Sequence, residues 1–523
     1  MSASAAEAFR CLQAGLAEQA LKAARRAASE HPTAGRPRLA EGIALRMLGR
    51  LDEAREALDR AARLDPRDGA IAYERGVVAQ LSGDLDRALA QFEQARVLKP
   101  DFFAAHFSSG SLRFDRGEWP EAIERLRTAA GLNPRQFEAR HWLARALLKA
   151  GRPEEAEREY IHALAANPHD FELLSEFGRY SVSRGNFQRA ASLFREALRL
   201  RPEDDALPMY LVQTELTLGN WAAAWGAYAH RVTRRHLERT LAAQGDNYRV
   251  PARASLAGRD VVLMAEQGFG DILFFLRWAP ALREAGARLR LIGPKGLLPM
   301  LSRIGLFESL HEFGARDVPA AIPIMIGDLP SVAPAPDPTS VPGLRISPRP
   351  DRLEQWRSRL DAAGPRPWVG LTWRAGLPPE ELQHGLYKTI EPRLLRPVVE
   401  ATGGTAIALQ RKPAPGEIAH VGESLGRPLH DFSEANSDLE DALALVALLD
   451  RHIGVSNTNM HLADAAGRTA DVLSPYPPEW RWRIEGDSPW FPGFRVHRQA
   501  RDGDWGPALA SLVSVPGGNT SRG

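Results

Sequence analysis

Residues 261–282 read VVLMAEQGFGDILFFLRWAPAL. An apolar run comes first, then two glycines on either side of Phe269, then Asp271, after which apolar residues fall at helical spacing. A strand that turns sharply into a helix is the unit from which parallel α/β layers are built. A dinucleotide fingerprint would need a third small residue three positions after the second glycine, and Leu273 stands there, so an NAD site is not expected. No Walker A sequence occurs, which leaves an ATPase unsupported. Two readings of Asp271 stay open. Its carboxylate caps the helix by accepting backbone N–H groups, or it is aimed into a cleft from the end of a parallel strand, where open α/β sheets bind their ligands.

Further along, short apolar runs at 261–265, 288–292, 322–326, 368–373, 404–409, 451–455 and 469–473 alternate with amphipathic stretches. This alternation predicts α/β layers with parallel strands. The Pro-rich run SVAPAPDPTSVPGLRISPRP (331–350) separates a first half, 259–347, from a longer second half, 348–515. Within the second half, GVSNTNMHLADAAG reads as a strand end, a polar turn and a helix start. The amides after Ser456 and Asn457 would then be free to receive a phosphate, helped by the helix dipole. An ordinary Ser/Asn cap has the same sequence.

Before residue 235 the chain keeps a 34-residue period. Glycines stand at Gly15, Gly49, Gly83, Gly117, Gly151, Gly185 and Gly219, and an alanine follows each by five residues, from Ala20 to Ala224. Prolines close the units at Pro32, Pro66, Pro100, Pro134, Pro168 and Pro202. Small residues recur seven positions before the glycines, as at Gly42, Gly76 and Gly110. Two helices per unit pack closely where small side chains meet, glycine lets the chain turn, and proline stops the second helix. The pattern resembles the tetratricopeptide repeat in seven units over 1–235, followed by a polar connector at 236–258. That resemblance implies a helical superhelix whose concave face binds an extended peptide or another protein. Tyr73, His106, His141 and Tyr180 on the first helices are candidate contacts.

The whole chain restricts the remaining classes. At 523 residues it is too long for a single core. A formal charge of +2 gives no electrostatic footprint for nucleic acid. Cys11 is the only cysteine, which rules out an internal disulfide framework and a cysteine-based zinc cluster. The opening MSASAAEAFRCLQAG lacks a charged segment followed by an apolar core, and no apolar run reaches membrane-spanning length. A cytoplasmic location is the expectation.

EQGFGDILFFLRWAPALREAGARL, taken with HIGVSNTNMHLADAAGRTADVLSPYPPEWRWRIEGDSPWFPGFRVHRQ, resembles the heptosyltransferase-like glycosyltransferases of the GT-B fold over about 259–515. The fold class this implies is a tetratricopeptide superhelix followed by a two-lobed, Rossmann-type α/β region. In that family the Gly-Asp aspartate deprotonates the acceptor, a role that maps onto Asp271, with Gln267, Gly268 and Gly270 as the acceptor loop. The segments carrying Thr372, Arg374 and Gly376, and Lys388, resemble its diphosphate-binding loops. Gln410 and Arg411 are expected beside the nucleotide, and Ser456, Asn457, Thr458, Asn459 and His461 complete the expected donor site. Relatives usually have Asp-Thr where this chain has Ser456-Asn457. Trp480 and Trp482, alternating with Arg481 and Arg483, either wall the cleft or pack in the core.

The resemblance implies a metal-independent glycosyltransferase with a nucleotide sugar as donor substrate, no further cofactor, and no Asp-x-Asp motif in the segments assigned to the cleft. By analogy with other repeat-bearing transferases, the acceptor is a protein recruited by the repeats, such as flagellin or another surface protein. Two alternatives are a non-catalytic protein-binding adaptor with a degenerate transferase domain, and a transferase acting on lipopolysaccharide or lipid-linked glycans. If Asp271 is only a cap, Glu266 and His384 are the next candidates for the base.

Overall fold

The structure is a computed structural model and describes residues 3–514 apart from 244, 336, 376–387 and 502. It falls into two compact units, Met1–Phe177 and Gly178–Gly523.

The first unit is made of helix pairs: Ala3–Gln13 with Ala17–Glu30, Gly35–Met47 with Leu51–Leu64, Gly69–Leu81 with Leu85–Leu98, Phe103–Asp115 with Trp119–Leu132, and Phe137–Lys149 with Pro153–Ala166. The periodic glycines lie between the two helices of each pair, with φ between 72° and 81°, the left-handed region that side chains disfavour. In the second pair the Gly49 N–H donates to the Arg46 carbonyl at 3.0 Å and the Arg50 N–H to the Leu45 carbonyl at 2.9 Å. These two bonds close the helix as a Schellman motif. The small-residue row has a packing cause. A Cβ added at Gly42 would stand 2.5 Å from Leu58 Cγ, at Gly76 2.6 Å from Phe92 Cδ1, and at Gly110 2.7 Å from Leu126 Cγ. One large side chain of each second helix therefore fills the space that glycine leaves on the first.

The second unit begins with the end of the helix Phe171–Ser183 and continues through Phe187–Leu200, Leu207–Leu218 and Trp221–Tyr228. The stretch read as a polar connector is partly helical, over Val232–Ala243. Two sheets follow. The first has strands β1 (Asp260–Met264), β2 (Arg288–Gly293), β3 (Ser309–Glu312) and β4 (Ile322–Met325), in the order β3-β2-β1-β4. The second has β5 (Trp368–Thr372), β6 (Thr405–Ala408), β7 (Leu429–Asp431), β8 (Arg451–Val455), β9 (Asp471–Ser474) and β10 (Arg495–Arg498), in the order β10-β9-β8-β5-β6-β7. Every strand pair is parallel, with Val261 opposite both Leu289 and Ile322, and Val369 opposite both Ala406 and Arg451. The central strands β5, β6, β8 and β9 are buried along their whole length, because helices cover both faces of such a sheet.

The last repeat helix is joined to both sheets by an aromatic cluster. Trp225 makes edge contacts with Phe275, Trp278, Trp480 and Trp490 at ring separations of 5.9–6.4 Å. Beside it, Arg231 is buried and forked between two buried carboxylates. Its Nη2 donates to Glu266 at 2.6 Å, its Nε to the same carboxylate at 2.9 Å, and its Nη1 to Asp328 at 2.7 Å. The Gly327 N–H also donates to Glu266 at 3.0 Å, and the Tyr248 hydroxyl to Asp328 at 2.7 Å.

Two stability predictions follow from this packing. Gly110→Ala should lower stability by about 1–3 kcal/mol, since Leu126 must shift, whereas Gly131→Ala, where nothing lies within 4 Å, should raise it by up to about 1 kcal/mol. Urea midpoints of the two variants moving in the same direction would contradict this account of the small-residue row. Arg231→Met should cost roughly 3–5 kcal/mol, because it leaves buried carboxylates short of their cation. Arg231→Lys should recover only part of that, since one ammonium cannot reproduce the fork. Full stability of the lysine variant in thermal melts would show that charge alone suffices.

Candidate functional site

The turn after β1 is held open by its neighbours. Glu266 turns toward Arg231, Gln267 adopts a left-handed φ of 68°, and its amide donates to the Tyr228 hydroxyl. The helix Phe269–Phe275 then starts after Gly268, which makes no side-chain cap. The capping reading of Asp271 is thereby corrected. Asp271 lies inside the first helical turn, and its carboxylate accepts from Arg481 Nη2. Gly270 is required by close approach, for a Cβ there would stand 2.8 Å from His461 Cδ2.

On the second sheet, amide side chains tie together the loops that follow β5, β6 and β8. Gln410 Oε1 accepts from the N–H groups of Trp373 and Arg374 at 3.2 and 3.1 Å, and its Nε2 donates to the Arg374 carbonyl at 3.1 Å. Asn457 Nδ2 donates to Thr372 Oγ1 at 3.1 Å. Asn459 Nδ2 and Asn436 Nδ2 both donate to the Leu409 carbonyl, at 3.3 and 3.1 Å. Gln410 and Thr372 are buried and use their polar atoms in these ties, so they shape the loops from behind.

A cavity of about 220 Å³ lies where these loops meet the Asp271 turn. Gly268, Gly270 and Asp271 line it from the first sheet's side. Arg374, Lys388 and the run Ser456, Asn457, Thr458, Asn459 line it from the second, with His461 beside them. Glu479, Arg481, Arg411 and Asn436 also border it, and of these only Arg411 was expected there. Gln267 is turned away, into a second and larger cavity. Gly376 and His384 lie outside the described residues.

The charges are largely paired. Glu479 sits between Lys388 Nζ at 2.6 Å and Arg481 Nη1. Burial alone would raise the Glu479 carboxyl, but the two cations outweigh it and hold it well below the usual range. Burial, with Arg481 adding repulsion, pushes the His461 imidazole well below its ordinary value, so it is uncharged at neutral pH. Arg374 is held by Glu417 at 2.8 Å. Arg411 is exposed and makes no ion pair among the described residues. Asn457 caps the helix Thr458–Ala465, accepting from the Asn459 N–H at 2.9 Å. That amide, expected to be free for phosphate, is therefore occupied. Among the described residues no group of three or more His, Cys, Asp or Glu is placed to hold a metal ion.

Several expected contact residues on the repeats are packed. The Tyr73 ring packs tilted against Phe92 and Phe102, at 5.6 and 5.1 Å. His106 bonds the Pro100 carbonyl at 3.0 Å, His141 bonds Glu176 at 2.8 Å, and Tyr180 is buried. A partly exposed group that sequence reasoning passed over is Arg145, whose guanidinium lies 4.3 Å over Trp142 and 4.9 Å over Phe114. Trp482 is fully buried and stacks at 4.9 Å on Phe491, while Trp480 borders the larger cavity.

Comparison with known proteins supports the repeats. Tetratricopeptide-repeat family profiles match residues 12–69, 39–101, 73–124 and 176–236, and a second profile of that description matches 113–175. A curated relative, Protein FlbA of Caulobacter vibrioides, is 27% identical over 332 residues, covering 57% of this chain and 53% of FlbA. The chain thus spans about half the length of that relative. Among solved structures, YrrB, a TPR protein with an unusual peptide-binding site, is 21% identical, with 36% of this chain and 96% of that one covered at a TM-score of 0.33. MamA from Desulfovibrio magneticus is 21% identical, with 32% and 93% covered at 0.30. PilF of Pseudomonas aeruginosa is 15% identical, with 39% and 90% covered at 0.34. No helix among the described residues is long and apolar enough to cross a membrane. The amino-terminal 240 or so residues carry tetratricopeptide repeats, and a region with two parallel α/β sheets follows them.

Proposed function

We propose that this chain is a glycosyltransferase of the GT-B type, which moves a sugar from a nucleotide-sugar donor to a hydroxyl of a protein acceptor recruited by the repeats. The observation that carries the reading is one of placement. Asp271, just after β1, and the polar run Ser456–Asn459, just after β8, face each other across one cavity at the carboxyl ends of two parallel sheets. Open α/β sheets bind ligands at that end.

In this reading the acceptor hydroxyl gives its proton to the Asp271 carboxylate as its oxygen bonds to the anomeric carbon of the donor. The bond from that carbon to the phosphate oxygen breaks, and the nucleotide leaves with the electron pair. Arg411 and Lys388 offset the charge that develops on the phosphate, as does the Thr458 N–H at the start of the helix Thr458–Ala465. Arg481 orients Asp271 through their ion pair. Neutral His461 serves as a hydrogen-bonding wall against Gly270.

A second reading, a non-catalytic adaptor, is favoured by one feature. Two groups assigned to phosphate are already engaged, the Asn459 N–H by Asn457 and Arg374 by Glu417. Asp271→Asn decides between the readings. Arg481 keeps Glu479 as its partner, so the variant should fold with a loss of about 1 kcal/mol or less. Removing the proton acceptor should lower transfer by ~10²–10⁴ while nucleotide-sugar affinity, measured by calorimetry, stays within a few fold. Transfer at the wild-type rate would remove Asp271 as the base. A wild-type protein that binds no nucleotide sugar would establish the adaptor.

A further inference from the structure

The larger cavity, about 740 Å³, shares Asp271, Lys388, Glu479 and Arg481 with the smaller one. One carboxylate therefore faces two spaces. The far wall of the larger space comes from the repeats, through Val182, Phe187, Met209, Tyr210 and Gln213, and Trp225 and Phe275 lie deeper.

We propose that this cavity is the acceptor site and that it takes an extended polypeptide segment in which one serine or threonine is flanked by apolar side chains. The inference rests on the transferase reading for the reaction, but its geometry stands apart from it. The volume lies within the ordinary range for a ligand site and far exceeds what one hydroxyl side chain needs. Val182, Phe187, Met209, Trp225, Phe275 and Trp480 offer apolar surface that a free saccharide would leave unmatched. Among its uncharged polar lining residues are Tyr210, Gln213 and Gln267. Tyr210 is 39% exposed, Gln213 is exposed, and neither side chain has a hydrogen-bond partner among the described residues. Gln267 spends its Nε2 on Tyr228 and leaves its carbonyl oxygen available. A hydroxyl, an amide and a carbonyl lining one cavity suit the N–H and C=O groups of an extended backbone, which a lipid carrier lacks. The charged end, at Asp271, receives the hydroxyl that is to react.

The test uses the full chain and fluorescent decapeptides read by polarisation. One set carries a central serine or threonine flanked by valine, leucine and phenylalanine; a second replaces the flanks with lysine and glutamate. A polyprenyl-linked saccharide and a free disaccharide serve as competitors. The apolar-flanked set should bind at least about tenfold tighter than the charged set, and the double variant Tyr210→Ser, Gln213→Ala should weaken it by about tenfold or more. Gln213 is exposed and Tyr210 partly so, with its ring 5.9 Å from that of Phe194, so the double variant should still fold, as unchanged nucleotide-sugar affinity would verify. Equal binding of the two peptide sets, indifference to the double variant, or displacement by the lipid-linked or free saccharide alone would overturn the assignment. Peptide binding that responds to the double variant, without transfer from any nucleotide sugar, would support the cavity and reject the transferase. Donor hydrolysis without peptide binding would do the reverse.

Discussion

Arg231 sits at the point on which the rest of the second unit depends. It belongs to the end of the repeat region, yet its fork closes on Glu266 at the start of the Asp271 turn and on Asp328 beyond β4. Buried charge is tolerable only when it is paired and hydrogen-bonded, and each of these carboxylates has further donors, Gly327 for one and Tyr248 for the other. The consequence is that Glu266 has one available position. Gln267 can then hold a left-handed conformation that costs a non-glycine residue roughly 1–2 kcal/mol, because both its neighbour and its own amide are fixed by repeat residues.

The same logic of pairing runs through the cavity. Asp271, Arg481, Glu479 and Lys388 form a chain of alternating sign, so that the site contains charge without a large net field. Among the described residues Arg411, on the exposed rim, is left over. In the proposed reading Arg411 and the Thr458 N–H meet the donor phosphate, and Arg481 holds the Asp271 carboxylate in place. Behind it, Gln410, Asn457 and Asn459 fix the loops, which is the support a precise site needs.

Much of this was legible in the sequence, and the exceptions have physical causes. The 34-residue period could be read because each glycine, alanine and proline meets a separate steric demand, at a turn, a helix contact and a helix end. The central strands could be read because burial on both faces forces continuous apolar runs. SLHE, LHD and RVHR could not: β3, β7 and β10 are edge strands, partly exposed, and carry too few apolar residues to stand out. The position of Asp271 was legible, but its partner was not, since Arg481 lies 210 residues away and local sequence left a cap equally open. Tyr73, His106 and His141 looked like contact residues because they are polar or amphipathic, and packing absorbed them. Glu479 was invisible for a similar reason, as only the tertiary fold brings Lys388 and Arg481 to it.

The central claim is that the last repeat helix, the Asp271 turn and the tryptophan-rich segment near residue 480 form one cooperative body around Trp225. Hydrogen exchange on the full chain with Trp225→Ala, a loss of roughly 3–5 kcal/mol of packing, tests it most directly. The account predicts that amides in 221–231, 261–276 and 478–491 lose protection together and by similar factors, as parts of one unit do. Loss confined to the helix Trp221–Tyr228, with the Asp271 turn as protected as in the parent, would contradict it.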